Sequence, residues 1–496
     1  MTDKIEKHNY LIPTNEVLKS LDSTNKLMHL AIKILMIVKP KPYKRKVINE
    51  KLVERLGGYL LNDIKITDRL IIDNWELKEA SDIKNTNVAY DLVNNMNSVG
   101  YKINNDVLNF INKYGSKYDF FIYKENMDNL LEKSKLSKKE KLELESFLGK
   151  LELQENILGL AKVYSNLHEF YLPVRLDFRG RMNCISQYLN YQSNELAKSL
   201  LLFSKPEKIM KTDTKAINYL KAFGANCYGN KLDKKSWFDR VKWIDNNIDN
   251  IINFENGILT SKADNKLLFI AFCFKYTRWL QSYKINDTIY FETYLPIQQD
   301  ATYNGNQHLS ILSSDFSLAK ELNLIESSWK DIPKDFYNFL AVNLVDYFRN
   351  KLKLNDLSDE LRDGYTRLSN LIIQRSIIKK AIMTIAYNVT THQMIKHIME
   401  HFEVLSDQLN TKNEWYQFKD NPDIKLRFND FSLIATGLRT VLDNNFRKLG
   451  LLIKYLKDIA KICLKLNLVI PWGLPSGVVV RQSYLTTKKA KTFFSW

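Results

Sequence analysis

Apolar residues recur at helical spacing over most of this chain, and the places where that period breaks divide it. Residues 14–38 carry the pattern and stop at Lys39-Pro40-Lys41-Pro42, since proline cannot continue a helix. Gly57-Gly58-Tyr59 marks a turn, and residues 87–113 predict two helices around Tyr101-Lys102-Ile103-Asn104. Residues 125–170, rich in Lys, Glu and Leu, predict a long helical hairpin broken near Ser137. Between Tyr171 and Lys205 the character changes. There LPVRLDFRGRMNCISQYLN predicts a short strand, a glycine turn and a second extended piece. Helices resume from Ala216 to Tyr283, including the apolar run Leu267 to Phe274. Residues 288–297 (TIYFETYLPI) predict a buried strand that runs into Gln298-Gln299-Asp300. From about 316 to 465 the pattern is mostly helical, with a polar loop near 404–425.

Composition narrows the partners. The 496 residues can bury a large core and, at ~150 residues per domain, suggest roughly three structural units. A net charge of +17 suits a polyanion, either nucleic acid or an anionic membrane surface. Membrane insertion is not expected, because the longest apolar stretch, Leu27 to Val38, is too short to span and is interrupted by His29 and Lys33. Cys184, Cys227, Cys273 and Cys463 lie far apart, without C-x-x-C pairs or metal-ligand spacing with histidine. A reducing compartment and no structural zinc follow. The opening MTDKIEKHNYLIP carries acidic residues and no arginine, unlike a secretory or transit peptide. Lysine far outnumbers arginine, and Ile, Asn, Tyr and Phe are abundant, as in an A+T-rich coding sequence.

Candidate chemistry concentrates in three places. In LIIQRSIIKKAIMTIAYNVT, Arg375, Lys379, Met383 and Tyr387 recur every four residues, a rotation of about 400° that stacks them on one slowly drifting helix face. Two cations one turn apart can hold a triphosphate, and a phenol two turns on can meet a base or sugar. Asp300, at the end of a predicted strand and followed by ATYNGNQHLS, is placed as a catalytic acid often is. The DFRGR turn (Asp177 to Arg181) is a third candidate, because sites are often built at such turns.

DFRGR, LPIQQDATYNGNQH (Leu295 to His308) and RSIIKKAIMTIAYN (Arg375 to Asn388) resemble, in order and approximate spacing, the motifs of single-subunit DNA-directed RNA polymerases, the bacteriophage and mitochondrial enzymes. Weaker echoes at KPKP, GGYLLN, YKINNDVLNFI, LLLFSKPEKI, KAFGANCYG and LVIPWGLPSGVVVRQSYL extend the likeness over roughly residues 38–485. The resemblance implies a right-hand polymerase of mixed α and β structure, mostly helical. Its expected parts are a helical N-terminal remnant (1–105), a thumb-like helical hairpin (106–165), palm strands with associated helices (166–315) and fingers (316–496). It implies template-directed ribonucleotidyl transfer from NTPs with release of pyrophosphate. Asp300 and the backbone carbonyl of Ala301 would hold Mg2+ in a two-metal site. Arg375 and Lys379 would bind the triphosphate, with Lys379 also the catalytic general acid or charge stabiliser. Tyr387 would check the sugar, with Met383 beside it on the nucleotide face. Arg179, Gly180, Arg181, Gln307 and His308 would steady the template and the hybrid. Related DNA polymerases share the R-x3-K-x7-Y spacing but carry a glutamate where this chain has Gly305. A missing side chain there favours ribonucleotides.

The chain also departs from the pattern. Ala301 and Asn388 stand where the family has glycine, and asparagine tolerates positive φ better than most residues. No His-Asp dipeptide supplies the family's second metal-binding aspartate, and Asn429-Asp430, the nearest imitation, is expected in a surface loop. The C-terminal part of the palm is therefore expected to be missing, as in a fragment or a decayed copy. Little of the promoter-reading N-terminal region fits before residue 100. The expected partners are DNA template, RNA product and NTPs, with a transcription factor a further candidate. The expected setting is the mitochondrion, with the gene on a plasmid in the organelle. A DNA polymerase of the related family and a non-catalytic nucleic-acid-binding remnant stand as alternatives.

Overall fold

The computed structural model describes residues 35–48, 51–55, 87–123, 127, 130, 133, 135–177, 180–282, 289–299, 301, 303–325, 327–405, 415–477 and 479–482. The helical expectation at 14–38 is described only over 35–38, which are not helical (Met36 bridges to Tyr171), and the expectations at Gly57-Gly58-Tyr59 and the first arm of the 125–170 hairpin fall wholly or mostly outside these residues. Of the described residues, those up to Asp233, Phe238–Gln298 and those from Ile470 onward form one compact unit, and Lys234–Trp237 with Gln299–Val469 form a second. Both mix α and β and are mostly helical, with small antiparallel sheets.

The first unit opens with the antiparallel pair β1 (Lys44–Ile48) and β2 (Lys51–Arg55), followed by α1 (Asn87–Asn97), β3 (Gly100–Ile103) and α2 (Asn105–Tyr114). Helix α3 (Lys138–Tyr164) begins where the sequence reading breaks the hairpin. Ser137 caps it and Glu140 reaches back in a capping box. Strands β4 (Phe170–Tyr171), β5 (Val174–Leu176) and β6 (Met182–Cys184) are joined to the later elements by the short helix α4 (Glu195–Ser199). Then come β7 (Leu201–Phe203), β8 (Glu207–Met210), α5 (Thr214–Tyr228), α6 (Trp237–Asn246), α7 (Ile248–Ile252), α8 (Lys266–Ser282) and β9 (Tyr290–Thr293). β3 pairs with both β4 and β7, and β8 pairs with β9. The apolar run of α8 is buried on every side, with Phe269, Ile270, Phe272 and Cys273 fully enclosed. A half-buried carboxylate caps this core helix: Glu195 accepts the backbone N–H groups of Leu267 at 2.6 Å and Leu268 at 3.2 Å.

The second unit holds α9 (Asn304–Leu312), α10 (Phe316–Glu321), α11 (Phe336–Leu352), α12 (Asp359–Ser369), α13 (Arg375–Ile385) and α14 (Thr391–Met399). A three-stranded meander follows, β10 (Phe402–Val404), β11 (Trp415–Phe418) and β12 (Asn421–Arg427), and then α15 (Phe428–Asn445) and α16 (Arg447–Lys465). Its core joins Phe336, Leu340, Leu344 and Phe348 of α11 to the inner face of α13 and to Phe431, Ile434 and Leu438 of α15. The chain then returns to the first unit as the hairpin β13 (Ile470–Gly473) and β14 (Val479–Gln482).

Three expectations need correction. The strand before Asp300 ends at Thr293, and residues 294–299 are irregular. Pro296 has no N–H to give a ladder, so the strand cannot run on to the carboxylate. The stretch 404–425 is not simply a polar loop: Tyr416, Phe418, Ile424 and Leu426 alternate inward on β11 and β12 and are buried. Asp430 is no surface residue. It has 0% exposure and sits in the first turn of α15, where Arg367 of α12 holds its carboxylate at 3.0 Å (Nε–Oδ2) and 2.9 Å (NH2–Oδ1). The backbone N–H of Arg427 donates to the same carboxylate at 2.8 Å. A bidentate pair whose carboxylate is fully enclosed is costly to break on one side. Asp430→Ala is expected to destabilise the second unit by about 3 kcal/mol, and chemical denaturation of wild type and variant measures it.

Candidate active site

Helix α13 turns one face inward. Ile377, Ile378, Ala381, Ile382 and Ile385 are buried, so the four-residue stripe must look the other way. Lys379, Met383 and Tyr387 are exposed, Tyr387 by 64%, and Arg375 is half-buried. The helix closes at Ala386-Tyr387-Asn388, where Asn388 N–H donates to the Ile385 carbonyl (2.9 Å) and Val389 N–H to the Thr384 carbonyl (3.3 Å). That is a Schellman closure, which needs a left-handed residue, and Asn388 takes φ 57°. Asparagine therefore does at this corner what glycine would do. Tyr387 stays in line with the stripe even though it lies just past the last helical residue.

The cations differ in how far they are already engaged. Arg375 Nε reaches Asp335 at 3.1 Å (Oδ2) and 3.3 Å (Oδ1), and the guanidinium lies 4.9 Å from the centroid of the Tyr337 ring. Asp335 also caps α11, accepting from Tyr337 N–H at 3.1 Å and Asn338 N–H at 3.2 Å. Arg375 is thus fixed through Nε while its terminal N–H groups remain for an anion. Lys380, one residue past Lys379, is paired with Glu400 at 2.5 Å, whereas Lys379 has no ion pair among the described residues.

The segment after Asp300 is seated against this helix by Tyr303. Its backbone is left-handed (φ 57°), its ring packs on Phe336 and Tyr337 at 5.8 Å, and its hydroxyl donates to the Ile382 carbonyl of α13. Burial pushes the phenol far above its ordinary pKa, so it remains a donor. Two residues on, Gly305 faces the end of α13. A Cβ added there would stand 3.1 Å from Ala386 Cβ and 3.5 Å from Tyr387 Oη. Gln307 donates to the Leu322 carbonyl at 2.9 Å, tying α9 to the end of α10, and His308 is exposed.

Of the other candidate residues, Asp300 and Arg179 lie outside the described ones, and Ala301 is exposed. In the first unit the DFRGR turn closes the hairpin β5–β6. Asp177 N–H donates to the Arg181 carbonyl (2.8 Å), Gly180 N–H to the Asp177 carbonyl (2.9 Å), and Arg181 N–H to the Asp177 carboxylate (2.9 Å). Arg181 is exposed, and Gly180 takes φ 75° under Leu474 of the β13–β14 hairpin, where a Cβ would come within 2.3 Å of Leu474 Cδ1. DFRGR and WGLPSG, far apart in sequence, are therefore packed together.

Residues 210–495 match the family model of DNA-dependent RNA polymerase. That match covers more than half of the chain. The chain belongs to the DNA-dependent RNA polymerase family. It is similar to a "probable DNA-directed RNA polymerase" of Podospora anserina, 51% identical over 95% of this chain and 49% of that protein. It is similar also to one of Neurospora crassa, 31% identical over 96% and 52%. A mitochondrial DNA-directed RNA polymerase of Schizosaccharomyces pombe is 32% identical over half of this chain and 20% of its own length. The chain thus spans about half the length of the first two relatives. The family belongs to the single-subunit, phage-type polymerases, which are nucleotidyltransferases and generally use Mg2+.

Three residues that hold this face together were not singled out in the sequence. Asp335 had a usable signal, an acidic residue directly before the apolar run of α11. Tyr303 had none, because nothing local announces a left-handed tyrosine. Arg439 of α15, which donates to the Val389 carbonyl and so holds the chain leaving the Tyr387 turn, is equally silent. Tyr303→Phe leaves the Ile382 carbonyl without its donor in a buried setting. It is expected to cost about 1–2 kcal/mol in denaturant unfolding and to loosen the α9–α13 contact, seen as faster amide exchange at Ala386 and Tyr387.

Proposed function

We propose that this chain supplies the nucleotide-selecting face of a template-directed RNA polymerase and takes part in ribonucleotidyl transfer from NTPs with release of pyrophosphate. One observation carries the reading: Gly305 is held against Tyr387 at the foot of a face that carries Arg375 and Lys379. A side chain at 305 would fill the space beside the Tyr387 hydroxyl, and its absence leaves room for a ribose 2′-hydroxyl. Arg375, steadied by Asp335, offers paired N–H groups to phosphate oxygens. Lys379, one turn on, neutralises charge that develops on the leaving pyrophosphate and stands ready to protonate it. Met383 floors the face, and Tyr387 screens the sugar.

We assign the second unit to the fingers and the first to palm and thumb, with α3 as the thumb-like helix. Arg181 and Gly180, with Arg179, would meet template or hybrid phosphates, as would Gln307 and His308. Support for a nucleic-acid partner comes from the net charge of +17. No described helix is long and apolar enough to cross a membrane. Support for a mitochondrial setting comes from the mitochondrial relatives and the A+T-rich style of the composition, which also suits a plasmid-borne gene.

The family's Mg2+ would fall to Asp300 and the Ala301 carbonyl. Among the described residues no group of three or more His, Cys, Asp or Glu side chains could hold a metal. The described residues alone do not make that site.

Primed-template extension with NTPs tests the reading. Lys379→Ala is expected to lower extension at least about 100-fold while template affinity stays within about twofold, because the lysine acts on the triphosphate and not on the strand. Equal extension by the variant would refute the assignment. Salt-sensitive template binding without extension by the wild-type chain would favour a nucleic-acid-binding remnant instead, and a preference for dNTPs would favour the DNA polymerase.

A further inference from the structure

A basic cavity lies wholly within the first unit. It occupies about 290 Å3 between β3, the start of α2, the later turns of α8 and the chain leaving β9. Three cations line it: Lys102 of β3, and Lys275 and Arg278 of α8. Arg278 is matched, with Asp106 at 2.7 Å (NH2–Oδ1) and 2.6 Å (NH1–Oδ2). The two lysines are not. Lys102 Nζ stands 3.3 Å from the centroid of the Tyr294 ring, and Lys275 Nζ donates to the Glu292 backbone carbonyl at 3.1 Å. The Glu292 carboxylate pairs instead with Lys208 at 3.8 Å. Two ammonium groups thus face one cavity with rings and a carbonyl for company, and no carboxylate bonded to either among the described residues.

Such an arrangement is costly when empty. Burial, the neighbouring Arg278 and Lys102 together bring Lys275 down to about 8, against the opposing pull of Asp106 and Glu292. Lys102 is also lowered, chiefly by burial, with Glu292 opposing. An anion would remove the cost, and the walls say which kind. Beside the cations lie Phe274, Tyr294 and Leu202, an apolar surface for a flat group attached to the anion. The volume lies at the lower end for small-molecule sites, enough for one phosphate and part of what it carries, not for a duplex.

We propose that this cavity binds the terminal phosphate of a nucleotide, with Lys102 and Lys275 on the phosphate, Arg278 at its rim, and Tyr294 and Phe274 against the nucleoside. The phosphate comes either from a free mononucleotide or from the 5′ end of a strand. The site is independent of the α13 face.

The test is equilibrium binding by the full chain carrying Lys379→Ala, which weakens phosphate binding at the α13 face so that the remaining difference between probes reads the first unit. The probes are a short 5′-phosphorylated oligonucleotide, its 5′-hydroxyl twin and AMP. The phosphorylated strand is expected to bind at least about tenfold tighter than the hydroxyl strand, and Lys275→Met to erase that difference. Affinity should rise as pH passes about 6, where the phosphate becomes a dianion, and fall above about 8, where Lys275 loses its proton. Lys275→Arg should keep the tight binding and abolish the fall. Lys275→Met should fold with an equal or higher Tm, because it removes a partly buried charge. Displacement of the strand by AMP at comparable concentration identifies the free nucleotide as a ligand, and displacement only by phosphorylated strands identifies the strand end. Equal affinity for both strands, or a Lys275→Met protein that still discriminates between them, overturns the proposal.

Discussion

A tyrosine hydroxyl enclosed by apolar side chains must find an acceptor, and that of Tyr303 finds the Ile382 carbonyl in the middle of α13. Much of the candidate site hangs on that bond. It fastens Tyr303 and the chain that follows to α13, and the left-handed turn at Tyr303 then swings the backbone into α9. Gly305 arrives against Ala386 and Tyr387 as a consequence. Stacking on Tyr337 links the same tyrosine to the α11 end where Asp335 restrains Arg375. The Arg375 guanidinium, the exposed Tyr387 phenol and the side-chain-free position at Gly305 are therefore set by a single packed junction inside one unit.

Charge along this face is graded. Lys380 is neutralised by Glu400, Arg375 is oriented by Asp335, and Lys379 has no ion pair among the described residues. A ligand phosphate at this face would meet one cation without an ion pair among the described residues and one already oriented, with no fully buried pair to break first. Asp430 shows the contrast. Its carboxylate is sealed against Arg367 and serves the join of α12 to α15, so its resemblance to a catalytic aspartate stops at the sequence.

The sequence was most readable where period and punctuation agreed. The inward isoleucines of α13 and the outward Arg375, Lys379, Met383 and Tyr387 follow directly from helical spacing, and Asn388 adopts the positive φ its residue type permits. Ser137 and the DFRGR turn were equally legible, since capping and glycine turns are local chemistry. Legibility failed where tertiary contacts decide. Nothing near Tyr303 or Arg439 signals their partners, the Gly180–Leu474 contact spans nearly three hundred positions, and the alternation of β11 and β12 is masked by the polar residues around it. The strand before Asp300 was overextended because its apolar character outlasted its ability to donate hydrogen bonds at Pro296.

The proposed function requires the open position at Gly305, held beside Tyr387, to let this face accept a ribose. Its most direct test is the ratio of ATP to dATP affinity, measured by titration of the wild-type chain, Gly305→Ala and Gly305→Glu. The account predicts that ATP loses affinity relative to dATP by at least about tenfold in the glutamate variant, with alanine in between, because the new side chain takes the space of the 2′-hydroxyl. An unchanged ratio across folded variants would contradict it.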